Sequence, residues 1–158
     1  MELKYKSLYK NVLKEYQKFS TCARVKVAAL LVEKGRIISV GYNGVPSGQR
    51  HCNEKFSIKS GMYFIDGNPV SEETWLEEHH KFANEQEIHA EQNCLGYAAK
   101  WAMNISGASM VLSHEPCEAC ARLIFCCGIK YVYYVSKYDR GSKGIEFLEN
   151  NGVTVEQI

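Results

Sequence analysis

Between residues 3 and 19 the apolar side chains Leu3, Leu8, Val12, Leu13, Tyr16 and Phe19 recur at near-helical spacing, which predicts an amphipathic first helix. The period then changes. "VKVAALLVEKGRIISVGYNG" reads as two β-rich runs joined at Glu33-Lys34-Gly35, a hairpin. Its first run is apolar almost throughout, as expected of a strand covered on both faces. Residues 43 to 70 hold Gly and Pro but no clear period, and read as loop. Pro69 and a Ser71 cap introduce a polar helix from about Glu72 to Asn84. A second helix is expected from near His89 to beyond Trp101. "ASMVLS" (108 to 113) is a strand, and "PCEACARLIFCCG" a helix with Pro in its first turn and Gly at its end. "YVYYVS" (131 to 136) is a third core strand; a helix from about Lys143 to Asn150 and a short last strand, "VTVEQ", complete the chain.

The order α-β-β-α-α-β-α-β-α-β predicts an α/β layered fold with helices on both faces of the sheet. Strands 108 to 113 and 131 to 136 are joined through a helix, so they should be parallel neighbours with a right-handed crossover. No repeat, low-complexity tract or linker divides the sequence, and residues 1–158 are expected to form one domain.

Composition narrows the function classes. Lys+Arg is 19 against Asp+Glu 18, a net charge of +1, without the basic excess of most proteins that grip a nucleic-acid backbone. The N-terminal "MELKYKSLYKNVLKEYQKF" is too charged for a signal peptide, and no stretch is apolar and long enough to span a bilayer. Seven Cys in such a chain suggest a reducing compartment, the cytoplasm, where clustered Cys serve as metal ligands or small buried residues.

The chemistry gathers in two short stretches. In "HAEQN" (89 to 93), His89 and Glu91 are two apart, and at ~100° per residue they diverge on a helix. In the first turn, His89 can face a metal from the helix end while Glu91 approaches from the side. In "HEPCEACA" (114 to 121), Cys117 and Cys120 share one helical face, near the dipole end that favours thiolate. His89, Cys117 and Cys120 make three ligands with no convincing fourth, the count of a catalytic zinc site with one open position. H-x-E…P-C-x-x-C is the signature of zinc-dependent nucleobase deaminases, in which the Glu is general acid/base and not a ligand.

On these motifs the chain resembles the cytidine and deoxycytidylate deaminase superfamily across nearly its full length. Its nearest resemblance there is to the deoxycytidylate (dCMP) deaminases. That narrower match rests on "STCARVKVAALLV", "GYNGVPSG", "RHC", "HAEQN", "EPCEACA" and "GIKYVYYVSKYD". The resemblance implies a three-layer α/β/α cytidine deaminase-like fold with a mixed sheet of about five strands. It implies Zn2+ on His89, Cys117 and Cys120, and Glu91 moving protons between the attacking water, ring N3 and the departing amine. By the same resemblance, groups around Ala90 and Glu115, Pro116 and Cys117 would hold water and amine. Asn43 would bind sugar or base, and Tyr138 would stack on the base. Candidate phosphate ligands are Arg24, Arg50, Lys137 and Arg140. The product dUMP would supply thymidylate synthesis.

The resemblance further implies homo-oligomers, hexamer or dimer, and in many members activation by dCTP and inhibition by dTTP with Mg2+. Gly41, Asn43, Gly44, Gly48 and Arg50 are candidates for that effector cradle. A second, structural metal site is a further expectation, drawn from His51, Cys52 and the His79-His80 pair, His80 foremost, with Cys94 nearby. Cys22, Cys126 and Cys127 read as small buried residues, and His114 as a strand-end neighbour of the site. Two other functions fit the sequence: deamination of dCTP, cytidine, guanine or tRNA adenosine, or a zinc-stabilised binding module without catalysis.

Overall fold

The computed structural model describes residues 3–137 and 141–158. In chain order the elements are α1 (Leu3–Gln17), β1 (Ala28–Glu33), β2 (Arg36–Tyr42), α2 (Cys52–Lys55), β3 (Phe56–Lys59), β4 (Met62–Ile65), β5 (Asn68–Val70), α3 (Glu72–Gln86), α4 (Ala90–Lys100), β6 (Ser109–His114), α5 (Glu118–Cys126), β7 (Tyr131–Ser136), α6 (Lys143–Asn150) and β8 (Thr154–Gln157). Five strands form a mixed sheet in the order β2-β1-β6-β7-β8, flanked by helices. The expected hairpin is there: β1 and β2 pair antiparallel around Lys34 and Gly35, both at positive φ (48° and 78°), a turn whose twist suits the strands it joins. β6 runs antiparallel to β1 but parallel to β7, as the intervening helix requires, and β8 continues the parallel half.

Alternation along β1 explains the layers. Ala29 and Leu31 point into one core, with α4, α5 and α6; Ala28, Leu30 and Val32 point into the other, under α1. Met110 and Leu112 of β6, and Val132 and Tyr134 of β7, join the first core, while Val111 and Tyr133 join the second. A strand packed on both faces needs apolar residues at every position, which accounts for the unbroken "AALLV". On α1 the buried side chains are Tyr9 and Leu13, with Tyr5 stacked on Tyr9; Leu8 is exposed, against the helical spacing assumed from sequence.

Residues 43 to 70 correct the sequence reading. They are not an extended loop: they hold the short α2 and a separate three-stranded antiparallel sheet, β3-β4-β5. The turns are Ser60-Gly61 and Asp66-Gly67, each with positive φ at both residues (49° and 78°, 53° and 78°). Such two-residue turns let three- and four-residue strands pair, too short for alternation to register. This sheet and α3 enclose a third core of Phe56, Trp75, Cys22 and Cys52, packed with Tyr63 and Phe82. No helix among the described residues is long and apolar enough to cross a membrane.

Candidate metal centre and adjoining cleft

Two helix starts build the site. His89 is the N-cap of α4, held extended (φ −68°, ψ 154°), so its ring projects from the helix end while Glu91 sits inside the first turn. The approach to it is pinned. Ile88 pairs with Gly44 through hydrogen bonds of 2.8 and 3.2 Å, and the His89 amide donates to Gln92 Oε1 at 2.9 Å. Asn93 Nδ2 then donates to the Tyr42 carbonyl at 2.8 Å, tying the helix to β2. Cys117 is likewise the N-cap of α5 (φ −68°, ψ 166°), which corrects the sequence reading of Pro116: it precedes the helix and does not lie in its first turn. Cys120 follows inside the first turn, and the Glu115 amide donates to the Ser136 carbonyl at 2.9 Å, fixing the segment ahead of Cys117 to β7.

These two helix ends bring three donor atoms together. His89 Nδ1 lies 3.6 Å from Cys117 Sγ and 3.3 Å from Cys120 Sγ, and all three donors fall within 4.8 Å of one another. Zinc bonds of ~2.3 Å to sulfur and ~2.0 Å to nitrogen in a tetrahedron put S···N edges near 3.5 Å. The trio therefore has the spacing and chemistry of a zinc site. Without a metal the donors share protons among themselves: hydrogen bonds from Cys120 and then His89 pull the Cys117 thiol down to about 4, while the shared proton pushes Cys120 up. The contact with Cys117 in turn raises His89.

Glu91 is 4% exposed and its carboxyl is raised from the usual range by burial. It is not a member of the 4.8 Å group, so among the described residues the trio gains no fourth acidic, His or Cys donor. The carboxyl stands close enough to the donors to be influenced by His89, Cys117 and Cys120.

Comparison with known proteins agrees with this site. The family model for the cytidine and deoxycytidylate deaminase zinc-binding region matches residues 3–136. The chain belongs to this family. Deoxycytidylate deaminase of Enterobacteria phage T2 is 34% identical over 88% of this chain and 84% of its own length; the phage T4 enzyme of that name is 32% identical over 88% and 82%. The dCMP deaminase of cyanophage S-TIM5, solved in complex with dCMP and dUMP, superposes with a TM-score of 0.76 at 31% identity, covering 100% of this chain and 99% of that one. The expected three-layer deaminase-like fold with a five-stranded mixed sheet is thus borne out.

In this family member a cleft of about 250 Å³ opens over Glu91, His89 and Cys117. Arg24, Asn43, Ala90, His114, Glu115 and Lys137 line it, as do His80 and Asn84, two residues the sequence did not single out for this place. His80 Nε2 and Asn84 Nδ2 are 3.1 Å apart on one face of α3. Asn43 is largely committed internally: its Oδ1 accepts from Ser20 Oγ (2.7 Å) and the Val27 amide (2.8 Å), and its Nδ2 donates to the Val25 carbonyl (3.0 Å). Arg50 is elsewhere, paired with Asp66 and donating to the Glu54 carbonyl at 3.0 Å. Tyr138 and Arg140 lie outside the described residues. The expected effector cradle is not a single surface: Gly41 is packed inside, Gly44 is in the bridge to Ile88, and Gly48 and Arg50 are exposed.

The second cluster also differs from the sequence reading. Cys52 is in it, but His51 and His80 are not; its partners are Cys22 and His79, all three buried with donor atoms within 4.8 Å of one another. The reason is helical phase. Trp75 and His79, four apart, share the buried face of α3 with their rings stacked, and His80 is turned about 100° away. Cys22 arrives from a segment with no local signature. His79 Nε2 is 3.5 Å from Cys22 Sγ, and hydrogen bonds from Cys52 and His79 hold the Cys22 thiol down at about 3 while Cys52 is raised. Glu87 stands beside both thiols, its carboxyl pushed up to about 7 by burial, with Oε1 buried and without a hydrogen-bond partner. Cys94 is remote from the cluster in the main core, whereas Cys126 is exposed and Cys127 half-buried, contrary to their reading as buried residues.

Proposed function

We propose that this chain is a zinc-dependent dCMP deaminase, which adds water across C4 of dCMP, breaks the C4–N bond, and releases dUMP and ammonia. The observation that carries the proposal is the buried Glu91 carboxyl beside, but outside, a three-donor metal site at the floor of a cleft. His89, Cys117 and Cys120 would hold the zinc, which when bound supplies a water acidified towards neutral pH and a Lewis acid. Glu91 takes the proton from the attacking water, delivers it to ring N3, and completes proton delivery to the leaving amine. Its burial raises its proton affinity, which suits a group that must both accept and return a proton.

The backbone of Ala90, Glu115 and Pro116 surrounds the reacting end of the base. Asn43, with one Nδ2 hydrogen beyond its internal bonds, faces the sugar. Arg24 and Lys137 bind the 5′-phosphate at the cleft wall, a task for which Arg50 is misplaced. The names of the phage T2 and T4 relatives, and the nucleotides bound by the S-TIM5 enzyme, support dCMP over the alternatives. A non-catalytic zinc module would leave Glu91 without a role.

Cys22, Cys52 and His79 hold a second, structural zinc in this reading, with Glu87 contributing negative charge beside it. The enzyme is cytoplasmic and a homo-oligomer, with the exposed Tyr97 of α4 and Trp101 at its C-terminal end as candidate contacts. Its dUMP feeds thymidylate synthesis, and its rate responds to dCTP and to dTTP with Mg2+. The test is ammonia release from purified protein given dCMP, dCTP, cytidine or guanine, with and without dTTP-Mg2+. Preferential turnover of dCMP is expected; no turnover of any of the four overturns the proposal, and a rate indifferent to dTTP and dCTP removes the regulation.

A further inference from the structure

We propose that Gly41 and Gly144 are positioning residues, two side-chain-free contacts that set how far apart the His89 and Cys117/Cys120 helix starts can stand. The inference rests on the zinc-site reading above. A Cβ added at Gly144 would lie 2.1 Å from the Pro116 carbonyl oxygen, 3.1 Å from its carbon and 3.2 Å from the Cys117 carbonyl carbon. On the other side of the site, a Cβ at Gly41 would lie 2.1 Å from the Ala90 carbonyl oxygen and 2.5 Å from the Cys94 amide nitrogen. Ala90 is the residue between His89 and Glu91; Pro116 immediately precedes Cys117. Each ligand-bearing helix start is therefore touched by the bare backbone of a neighbouring element. Neither glycine has a positive φ, so the demand is for space and not for backbone freedom.

The atoms met are backbone and cannot rotate aside. Real Cβ contacts do not fall below 3.0 Å, so something must move. At position 144 it cannot readily be α6, which is fastened along α5. Phe147 packs edge-on against Phe125 (5.9 Å) and under Arg122 (6.0 Å), Lys143 reaches Glu118 at 3.8 Å, and Ile145 and Leu148 are in the core. The displacement, about 1 Å, is thus directed into the segment carrying Cys117. Misplacement on that scale at positioned groups costs on the order of a hundredfold in rate.

The test compares Gly144→Ala with Gly96→Ala, an exposed position on α4 where an added Cβ meets nothing within 4 Å. Both, and the reference protein, carry Cys22→Ser so that the second two-thiolate cluster does not contribute; all are loaded with cobalt(II), and the thiolate-to-cobalt absorption, metal stoichiometry, thermal melt, kcat and KM for dCMP are measured. Gly96→Ala should match the wild type in metal stoichiometry, cobalt spectrum, kcat and KM, with a slightly higher melt from the gain in helix propensity. Gly144→Ala should bind metal with a shifted cobalt spectrum and lose roughly ten- to a hundredfold in kcat, with KM changed far less. A wild-type cobalt spectrum and kcat in Gly144→Ala would overturn the proposal. Should Gly144→Ala be insoluble, it is measured with Gly96→Ala added to restore helix propensity. If that double variant is insoluble too, the proposal also falls, since the glycine is then a requirement of folding and not of site geometry. A wild type that takes up no cobalt at all disproves the zinc site itself, an outcome distinct from a wild-type-like Gly144→Ala.

Discussion

Replacing Glu91 by Gln separates two consequences of one buried carboxyl. The side chain is 4% exposed and its proton affinity is raised by burial, so the fold disfavours the ionised form that the proposed proton transfer starts from. Gln keeps the shape and the burial but can neither take nor give the proton. Loss of a general acid/base costs about 10²–10⁴-fold in rate, or ~3–5 kcal/mol of barrier. Stability should move the other way. A carboxyl whose folded pKa is raised contributes stability at low pH that is lost as pH rises through the folded value. Chelated wild type should therefore fall behind chelated Glu91→Gln as pH climbs from 5 to 8. The gap is set by the desolvation of one buried group, about 1–3 kcal/mol, or roughly 2–10 °C in Tm for a chain of this size. With zinc bound the gap should shrink, because a cation beside the carboxylate compensates its burial. The assays are ammonia release, zinc content and thermal melts at both pH values. A variant that keeps more than a tenth of wild-type turnover refutes the proton-transfer role. One that loses zinc along with turnover makes Glu91 a ligand, and a chelated wild type as stable as the variant at pH 8 refutes the burial argument.

Other expectations can be checked beside it. Cys22→Ser should lower bound zinc from two ions to one per chain by elemental analysis and lower Tm, while the remaining ion stays on His89, Cys117 and Cys120. Lys137→Ala or Arg24→Ala should raise KM for dCMP by roughly 10- to 100-fold, the range of a charge-assisted hydrogen bond, and leave cytidine turnover almost unchanged; Arg50→Ala should do neither. Lys6 pairs with Glu156 across α1 and β8 and depresses the Glu156 carboxyl. Lys6→Ala should therefore cost about 0.5 kcal/mol at neutral pH by urea titration, a difference that fades as pH falls from 4.5 through the lower value the carboxyl has in the folded protein.

What could be read from the sequence depended on how local the signal was. The apolar run of β1 announced a strand with two covered faces, and the helix between β6 and β7 announced their parallel pairing; both depend on neighbours in the chain. The sheet of residues 56–70 was hidden because its strands are only three or four residues long, although Asp66-Gly67 carried a hairpin turn signal in plain sight. His79 and His80 present a related difficulty. The choice between them is one of helical phase, and Trp75, four residues earlier and fully buried, fixes that phase in favour of His79. Cys22 had no such neighbour to identify it.

The two motifs that build the candidate metal site show the same division at finer scale. Residue types and spacing sufficed to group His89, Cys117 and Cys120 and to set Glu91 apart, because each motif lies within one helix start. That both His89 and Cys117 are N-caps, with extended backbone aiming their side chains outward from the helix ends, could not be taken from spacing alone. It resolves how a His and a Glu two residues apart serve one centre: the cap residue leaves the helix and the other remains in it. The gap between the two starts is subtler still. It depends on what Gly41 and Gly144 lack, and those residues lie in elements that carry none of the donors, so only the assembled fold reveals that a methyl group there would press on the backbone of the site.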